Sequence, residues 1–197
     1  MLNTEDVNFY LSVFKGLNLK DMMNLAGLAH KKEINAGEIY IQPGSTSQRL
    51  AYIKTGLIRT YSLKENGDEV TLMLRWENQF VASFDSVILA KPSRFIYQAL
   101  EDTTLLEVDY HKVKHMVDQS PELSASSHTF LLHMLGEAMD RLEGFVLLSP
   151  EERYLKLTHE KPDINNRVPD KYLATLLGVA PGSLSRIRKR IALQHRR

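Results

Sequence analysis

The spacing of apolar residues divides the chain into a short helical start, a β-rich middle and a helical remainder. Over residues 4–30, apolar positions recur three and four apart, which predicts short helices. From about residue 32 to residue 110, short β-branched and apolar runs alternate with turn residues such as Asn66-Gly67, a hairpin signal. The predicted strands are 39–41, 50–54, 57–63, 70–74, 95–100 and 105–108. Many short strands at this spacing predict a β-sandwich or barrel.

Helical spacing returns after the last predicted strand. Asp109 can cap a short helix that ends before Ser120-Pro121, and a long helix follows over about 122–146. Ser149-Pro150 then begins a further helix that runs to about Glu160, because serine caps it and proline suits its first position. Residues 161–167 are polar and rich in helix breakers, so they are interpreted as a loop.

The long helix is apolar on two sides. Its main seam advances in steps of three and four, which is typical of helices that pair. The residues expected to form a homodimer along this seam are Leu131, Leu135, Ala138, Leu142 and Phe145. A second apolar face carries Phe130, Met134 and Met139. The barrel can cover one side and a second copy of the chain the other. The alternative is one wide stripe buried within a single subunit.

The last thirty residues contain two short helices joined by a glycine-bearing turn. Pro169 can open the first helix, Gly178 can end it, and Pro181 can open the second. Leu173 and Leu184 lie on the faces expected to be buried. Two helices joined in this way form the helix-turn-helix pattern, although an ordinary helical hairpin with a solvated basic face shares the same spacing.

The nearly neutral net charge of +1 hides an uneven distribution. Residues 167–197 carry eight arginines and lysines against one acid, Asp170, for a formal charge of +7, and the remainder carries −6. This asymmetry indicates a polyanionic partner for the tail. We therefore expect the second helix to contact double-stranded DNA. Its candidate DNA-binding residues are Ser183, Ser185, Arg186, Arg188, Lys189 and Arg190.

Four segments, taken in order, resemble a known family. They are residues 37–44 (GEIYIQPG) with 51–59 (AYIKTGLIR), the long helix, 168–179 (VPDKYLATLLGV) and 183–189 (SLSRIRK). Together they resemble the Crp/Fnr-like bacterial transcription regulators over nearly the whole chain. The resemblance implies an α+β fold with an N-terminal antiparallel jelly-roll β-barrel of the cyclic-nucleotide-binding type. It also implies a dimerisation helix, a C-terminal winged-helix-like helix-turn-helix, and a homodimer on a roughly palindromic DNA site.

The predicted domains follow from this order of parts. Residues 1–120 form the barrel domain with its N-terminal helices, 121–147 the dimerisation helix, and 148–197 the DNA-binding domain. Only residues 191–197 remain after the recognition helix, so the wing is expected to be reduced or missing. Pro181 and Gly182 stand at the usual base-reading positions, which leaves Ser185 and Arg186 to read bases.

The effector region departs from the family pattern. Members that bind cyclic nucleotides carry a Gly-Glu pair and then an Arg-Ser/Thr pair, which meet the ribose and the phosphate. Here these positions align with Ala82 and Ser83, and with Ser93 and Arg94. Because the carboxylate and the cation are missing, the sequence predicts no ordinary cyclic AMP binding. The four residues remain candidates for a pocket that binds another small-molecule effector, and Arg94 is otherwise a surface residue.

Composition excludes several function classes. Without cysteine, the chain has no disulfide, thiol nucleophile, zinc finger or cysteine-ligated iron–sulfur cluster. His111 and His115 are four apart and either share a metal or lie separately on the surface. No catalytic motif is present, so we expect no enzyme activity, no metal and no cofactor. Without an 18-residue apolar run or a signal peptide, we expect no membrane partner and a cytoplasmic location.

Two functions are therefore compared. The first is a dimeric DNA-binding regulator. The second is a ligand-binding β-barrel that acts through protein contacts and carries a degenerate DNA-binding tail.

Overall fold

The structure is a computed structural model that describes residues 19–194, in which a β-barrel is followed by helices. The strands are β1 (His30–Ile34), β2 (Ile39–Ile41), β3 (Arg49–Thr55), β4 (Ile58–Leu63), β5 (Glu69–Arg75), β6 (Phe80–Ala82), β7 (Ile96–Ala99) and β8 (Thr103–Asp109). The helices are α1 (Leu19–Leu28), α2 (Phe84–Val87), α3 (Tyr110–Gln119), α4 (Pro121–Leu147), α5 (Pro150–Glu160), α6 (Ile164–Arg167), α7 (Asp170–Leu176) and α8 (Pro181–Gln194). The part of the predicted helices over 4–30 that precedes residue 19 lies outside the described residues.

The barrel consists of two antiparallel four-stranded sheets. One has the order β1-β8-β3-β6 and the other β2-β7-β4-β5, so strands adjacent in space are mostly distant in sequence. This arrangement is the predicted jelly roll. The Asn66-Gly67 hairpin is also confirmed, since β4 pairs with β5 and Gly67 has a φ of 84°.

The barrel core lies between the two sheets. Alternate residues such as Ala51 and Ile53 on β3, Ile58 on β4 and Leu105 on β8 point into it and are fully buried. The turn between β3 and β4 requires glycine, because Gly56 has a φ of 102° and a Cβ there would lie 2.6 Å from the Cα of Thr103. This close approach brings β8 against the β3–β4 turn.

Two strands were not expected from the sequence. β1 has the sequence HKKEI, in which only Ile34 is buried, so it lacks an alternating apolar pattern. It is held instead by antiparallel pairing with β8 at the sheet edge. β6 is only three residues long and pairs with β3.

The long helix α4 matches the predicted element within one residue at each end. Ser120 caps its first turn by accepting a hydrogen bond from the backbone N–H of Leu123 at 3.2 Å. On its barrel side, Phe130 packs edge-to-face on Phe80 with ring centroids 4.9 Å apart. Met139 was expected on that second face, but its side chain is 47% exposed.

The C-terminal helices form a second apolar core. The capping box predicted at Ser149 is present, with Glu152 reaching back to the Ser149 backbone. Residues 161–167, predicted as a loop, contain the short helix α6, because Ile164 is fully buried and ties this segment to the core. Between residues 148 and 194 the described chain contains no strand.

This second core continues into the barrel. Leu57 and Leu74 of the barrel belong to the same buried cluster as Leu173 and Leu184 of the C-terminal helices. At its margin, the Arg167 guanidinium donates to both oxygens of Glu77, at 3.0 and 2.6 Å, and to Glu101. The C-terminal helices are therefore docked on the barrel by apolar packing and by charge.

Glu77 makes this docking sensitive to acid. Burial alone would raise the pKa of Glu77, but hydrogen bonds from Arg167 and Lys161 lower it to about 2 from its ordinary value of 4.5. A carboxyl whose pKa is lower in the folded state stabilises the fold above its unfolded pKa, and this stability is lost as pH falls. The contribution is therefore complete above about pH 4.5 and disappears toward pH 2.

We predict that Glu77→Gln lowers the free energy of unfolding at pH 7. We also expect this free energy to fall less between pH 5 and about pH 2 than it does in the wild-type protein. The reason is that glutamine keeps the shape but has no charge to lose. Urea unfolding at several pH values measures this. Glu65→Gln, at an exposed turn position, is the control. The same pH dependence in both variants would contradict the assignment.

Candidate functional site

The two helices α7 and α8 form a helix-turn-helix unit. Leu173 of α7 and Leu184 of α8 are fully buried against each other's helices and the shared core. The turn needs Gly178, whose φ is 70°, and a Cβ there would lie 3.4 Å from a ring carbon of Phe145. The turn thus lies against the end of the long helix.

The outer face of α8 carries exposed polar and basic side chains. Ser185, Arg186 and Lys189 are exposed, and Ser183 is half-buried. The Arg186 guanidinium donates to Ser183 Oγ at 2.9 Å, which places the arginine at the N-terminal end of the helix. Within residues 19–194, no carboxylate lies within ion-pair distance of Arg186 or Lys189. These cations remain available to a polyanion.

Arg188 was expected to point outward, but it is directed back into its own domain. Its Nη1 donates to both oxygens of Asp170, at 2.7 and 2.8 Å, its Nε to the Tyr154 hydroxyl at 3.2 Å, and its Nη2 to Asn165 at 2.9 Å. The side chain is 27% exposed. Burial alone would lower the pKa of Arg188, but the bonds to Asp170 and Tyr154 raise it. In this structure Arg188 links α8 to α5, α6 and α7.

Arg190 is also paired within the chain, with Glu151 at the start of α5, although its side chain is 60% exposed. An exposed pair of this kind contributes little energy and can exchange its partner readily. Of the six predicted DNA-binding residues, the structure brings Ser183, Ser185, Arg186 and Lys189 together on one outer face. Arg190 lies at its edge and Arg188 on the inner side.

The effector candidates lie together at one end of the barrel, between β6 and β7. Ala82, Ser83 and Ser93 are buried, and none of them carries a charge. Ser83 Oγ accepts a hydrogen bond from Ser86 Oγ at 3.1 Å and caps α2, while Ser93 Oγ donates to the carbonyl of Phe95 at 2.9 Å. Both serine hydroxyls therefore already have hydrogen-bond partners nearby in the chain.

Arg94 pairs with Asp85, a carboxylate on the short helix α2. Its Nη2 donates to Asp85 Oδ1 at 2.9 Å and its backbone N–H to Asp85 Oδ2 at 3.0 Å, while its side chain stays 71% exposed. The hydrogen bonds from Arg94 lower the pKa of Asp85. Arg94 is thus a surface residue whose charge is already matched by Asp85.

An aromatic residue fills the space beside these serines. Tyr97 of β7 is buried in the barrel core, and burial raises its pKa to about 12. Its hydroxyl lies beside Ser83 and the backbone of Phe84. A large ring therefore occupies the interior next to the aligned cassette positions.

The predicted dimerisation residues on α4 are all exposed, and Leu131, Leu135, Ala138 and Phe145 line an open cleft between α4, the barrel and the C-terminal helices. Leu131, Leu135, Leu142 and Phe145 are exposed hydrophobic residues, with Leu135 58% exposed, and Ala138 is exposed between them. A contiguous apolar stripe of this length is unusual on the surface of a monomer.

Comparison with known proteins agrees with this architecture. Residues 31–120 match the family described as "Cyclic nucleotide-binding domain". The FixK2 structure from Bradyrhizobium japonicum shares the fold with a TM-score of 0.71 and 15% identity, covering 85% of this chain and 86% of that one. A transcriptional regulator of the CRP/FNR family from Thermus thermophilus matches with a TM-score of 0.64 and 18% identity, over 84% and 87%. Residues 31–120 are therefore similar to a cyclic nucleotide-binding domain, and the chain shares the fold of these solved regulators.

Two curated proteins that are similar to this chain are named as regulators. "Probable transcriptional regulator flp" from Lacticaseibacillus casei is 24% identical over 189 residues, which is 91% of this chain and 84% of that protein. "Regulatory protein HlyX" from Actinobacillus pleuropneumoniae is 24% identical over 135 residues, or 67% of this chain and 54% of that protein. Both names describe regulators rather than enzymes.

Two arginines with structural roles were not predicted from the sequence. Arg153 donates to the carbonyls of Leu148 at 2.6 Å and Leu177 at 2.9 Å, and so joins the end of α4 to the helix-turn-helix. Arg59 is fully buried on β4. The available signal for Arg59 was a charge inside a strand that has no other charged residue. Arg153 gave no signal, because its partners are backbone carbonyls.

The remaining sequence alternatives concern metals and membranes. His115 contacts Gln119, and His111 donates its backbone N–H to Asp109. Among the described residues, no group of three histidines or acids could hold a metal ion. Nor does any helix within residues 19–194 have the length and apolarity needed to cross a membrane.

Proposed function

We propose that this protein is a homodimeric, DNA-binding transcription regulator of the Crp/Fnr type. The observation that carries the proposal is the outer face of α8, where Ser185, Arg186 and Lys189 are exposed at the end of a docked helix-turn-helix. A helix with small polar residues in its first turns and cations farther along suits the major groove and its flanking phosphates. The names of the regulator relatives support the same function.

The homodimer is proposed from the exposed apolar stripe of α4. Burying several leucine side chains against a second copy would remove apolar surface from water and so stabilise the dimer. In a monomer the same side chains stay in contact with water. Two copies would also present two recognition helices to one duplex.

The effector domain is proposed to lack the usual cyclic-nucleotide cassette. Ala82 and Ser83 supply no carboxylate for a ribose, and Ser93 supplies no cation for a phosphate. Arg94 is already paired with Asp85, and Tyr97 fills the adjacent interior. A different small molecule remains the candidate effector, and the function requires no catalysis and no cofactor.

The second candidate is a barrel that acts through protein contacts. It is favoured by one observation, namely that Arg167, Arg188 and Arg190 are paired within the chain. Gel-shift titrations over a salt series distinguish the two, since DNA affinity falls as salt releases counterions. Promoter DNA that binds no better than unrelated DNA at every salt concentration would contradict the regulator.

We predict that Arg186→Ala weakens binding to the cognate DNA by about 1–3 kcal/mol, because a base-reading contact is lost. Fluorescence anisotropy with labelled duplex measures it. Lys64→Ala removes the same charge from an exposed barrel site and should leave affinity unchanged. If Arg186→Ala and the wild-type protein bind DNA with equal affinity and specificity, Arg186 does not belong to the DNA interface.

We predict that the double substitution Leu135→Glu and Leu142→Glu yields a monomer, because four carboxylates cannot be buried in an apolar seam. Analytical ultracentrifugation gives the mass. Leu63→Glu, at a residue 55% exposed on β4, is the matched control. A persisting dimer would show that the stripe does not form the interface.

We predict that the wild-type protein gives no heat of binding with cyclic AMP in isothermal titration calorimetry. The cause is the missing carboxylate and cation at Ser83 and Ser93. Saturable binding at micromolar nucleotide would contradict the proposed loss of the cassette.

A further inference from the structure

Arg59 is unusual because its guanidinium is completely buried, with 0% of the side chain exposed. It lies on β4, and its polar partners lie on β5. Nε donates to Thr71 Oγ1 at 2.9 Å and Nη1 to Glu69 Oε2 at 2.6 Å. A buried charge is expensive unless it is paired and hydrogen-bonded, so these contacts are needed to keep it inside.

The remaining side of the guanidinium is covered by two aromatic rings. Its central carbon lies 4.2 Å from the ring centroid of Tyr61 on β4 and 3.5 Å from that of Tyr172 on α7. Nη2 is buried and has no hydrogen-bond acceptor. The cation–π contacts with the two rings therefore stabilise this side of the guanidinium. Because Tyr172 belongs to the helix-turn-helix, Arg59 stays covered only while α7 is docked.

Directional hydrogen bonds fix the same contact. The Thr71 backbone N–H donates to Thr175 Oγ1 at 3.2 Å, and the Thr175 hydroxyl donates to Thr71 Oγ1 at 3.0 Å. Together these residues form the Arg59 junction, which comprises Arg59, Tyr61, Thr71, Tyr172 and Thr175. Unlike apolar packing, which tolerates sliding, these bonds select one position of α7 on β5.

The docked position leaves the outer face of α8 uncovered. Ser185, Arg186 and Lys189 remain exposed while Tyr172 and Thr175 face the barrel. Two recognition helices must also be held about one DNA turn apart to enter successive grooves. A junction that fixes each helix-turn-helix on its barrel would set that spacing through the dimer.

We propose that the Arg59 junction holds the helix-turn-helix in its DNA-binding position, so that Arg59 is a positioning residue for DNA binding. This inference rests on the proposed function. It assigns the docked arrangement to the DNA-competent state and predicts that releasing the junction weakens binding.

A disulfide across the junction tests this directly. The chain contains no cysteine, and the Thr71 and Thr175 Oγ1 atoms are 3.0 Å apart, so Thr71→Cys with Thr175→Cys gives a single defined pair. We expect the bond to form in the folded protein and the oxidised form to bind cognate DNA as tightly as the reduced form, or more tightly. A loss of about tenfold or more on oxidation that dithiothreitol reverses would overturn the proposal.

If the pair does not oxidise in folded protein, the Arg59→Met variant decides the proposal, because disulfide geometry is stricter than side-chain contact. The reduced form of the same molecule is the control for the two substitutions themselves. Single-cysteine variants control for disulfides between subunits.

Release of the junction gives the opposite test. We expect Arg59→Met to weaken DNA binding about tenfold or more, because two loosely tethered helices engage successive grooves less often. The slope of affinity against salt should stay unchanged, since Arg59 contacts no phosphate. Arg59→Lys should recover part of the affinity through its cation. Unchanged or tighter DNA binding by Arg59→Met would overturn the proposal.

Further variants guard against loss of folding. Tyr172→Leu removes the ring from the helix side and leaves the barrel sequence intact, so it should show the same loss if Arg59→Met fails to fold. Lys64→Met, at an exposed barrel residue, is the control for loss of a positive charge and should bind DNA normally. Hydrogen exchange should quicken in α7 and α8 of the junction variants and stay unchanged in β3 and β8.

The exchange measurement also separates this inference from the proposed function. If the wild-type protein binds no DNA, the proposed function fails together with the assignment of a DNA-competent state. Faster hydrogen exchange in α7 of Arg59→Met would then show that Arg59 holds α7 on the barrel, without assigning that contact a role in DNA binding.

Discussion

A positive charge enclosed in a protein needs partners on every side, and Arg59 finds them on two different parts of the molecule. Its hydrogen bonds go to Thr71 and Glu69 of the barrel, whereas one of its covering rings, Tyr172, belongs to the helix-turn-helix. Separating these parts would expose apolar surface and leave the guanidinium with fewer contacts. Arg59 therefore helps to hold the helix-turn-helix on the barrel, together with the apolar core that the two parts share.

A second set of contacts reinforces this relation from the other side. Arg167 contacts Glu77 and Glu101 of the barrel, and Arg153 joins the end of α4 to the turn after α7. Phe145, which belongs to the exposed apolar stripe of α4, lies against Gly178 in that turn. A partner subunit packed on α4 would thus touch the element that supports the helix-turn-helix, which links the proposed dimer to the proposed DNA interface.

The polar groups at the proposed effector end of the barrel have partners within the chain. Asp85 of α2 and Arg94 neutralise each other, and Ser83 and Ser93 form hydrogen bonds with nearby residues. Tyr97 supplies apolar contacts to the interior. The buried serine hydroxyls are therefore hydrogen-bonded, as buried polar groups in folded proteins usually are.

The sequence alone determined the strand-rich middle, the long helix, the capping box at Ser149 and the helix-turn-helix, because these follow from local periodicity and from glycine, proline and serine at element ends. It also indicated the exposed basic residues Arg186 and Lys189. It did not reveal β1, whose polar residues pair only because β8 lies beside them, or the helix at Ile164, which forms around a distant core.

Tertiary structure alone decided the partners of the charges. Arg186 and Arg188 are two residues apart in one basic run, yet one faces solvent and the other bonds to Asp170, Tyr154 and Asn165. Arg59 was concealed within a strand. A side chain's charge is a local property, whereas the groups that neutralise it come from segments that only folding brings together, so the role of each arginine could not be settled from its neighbours in the chain.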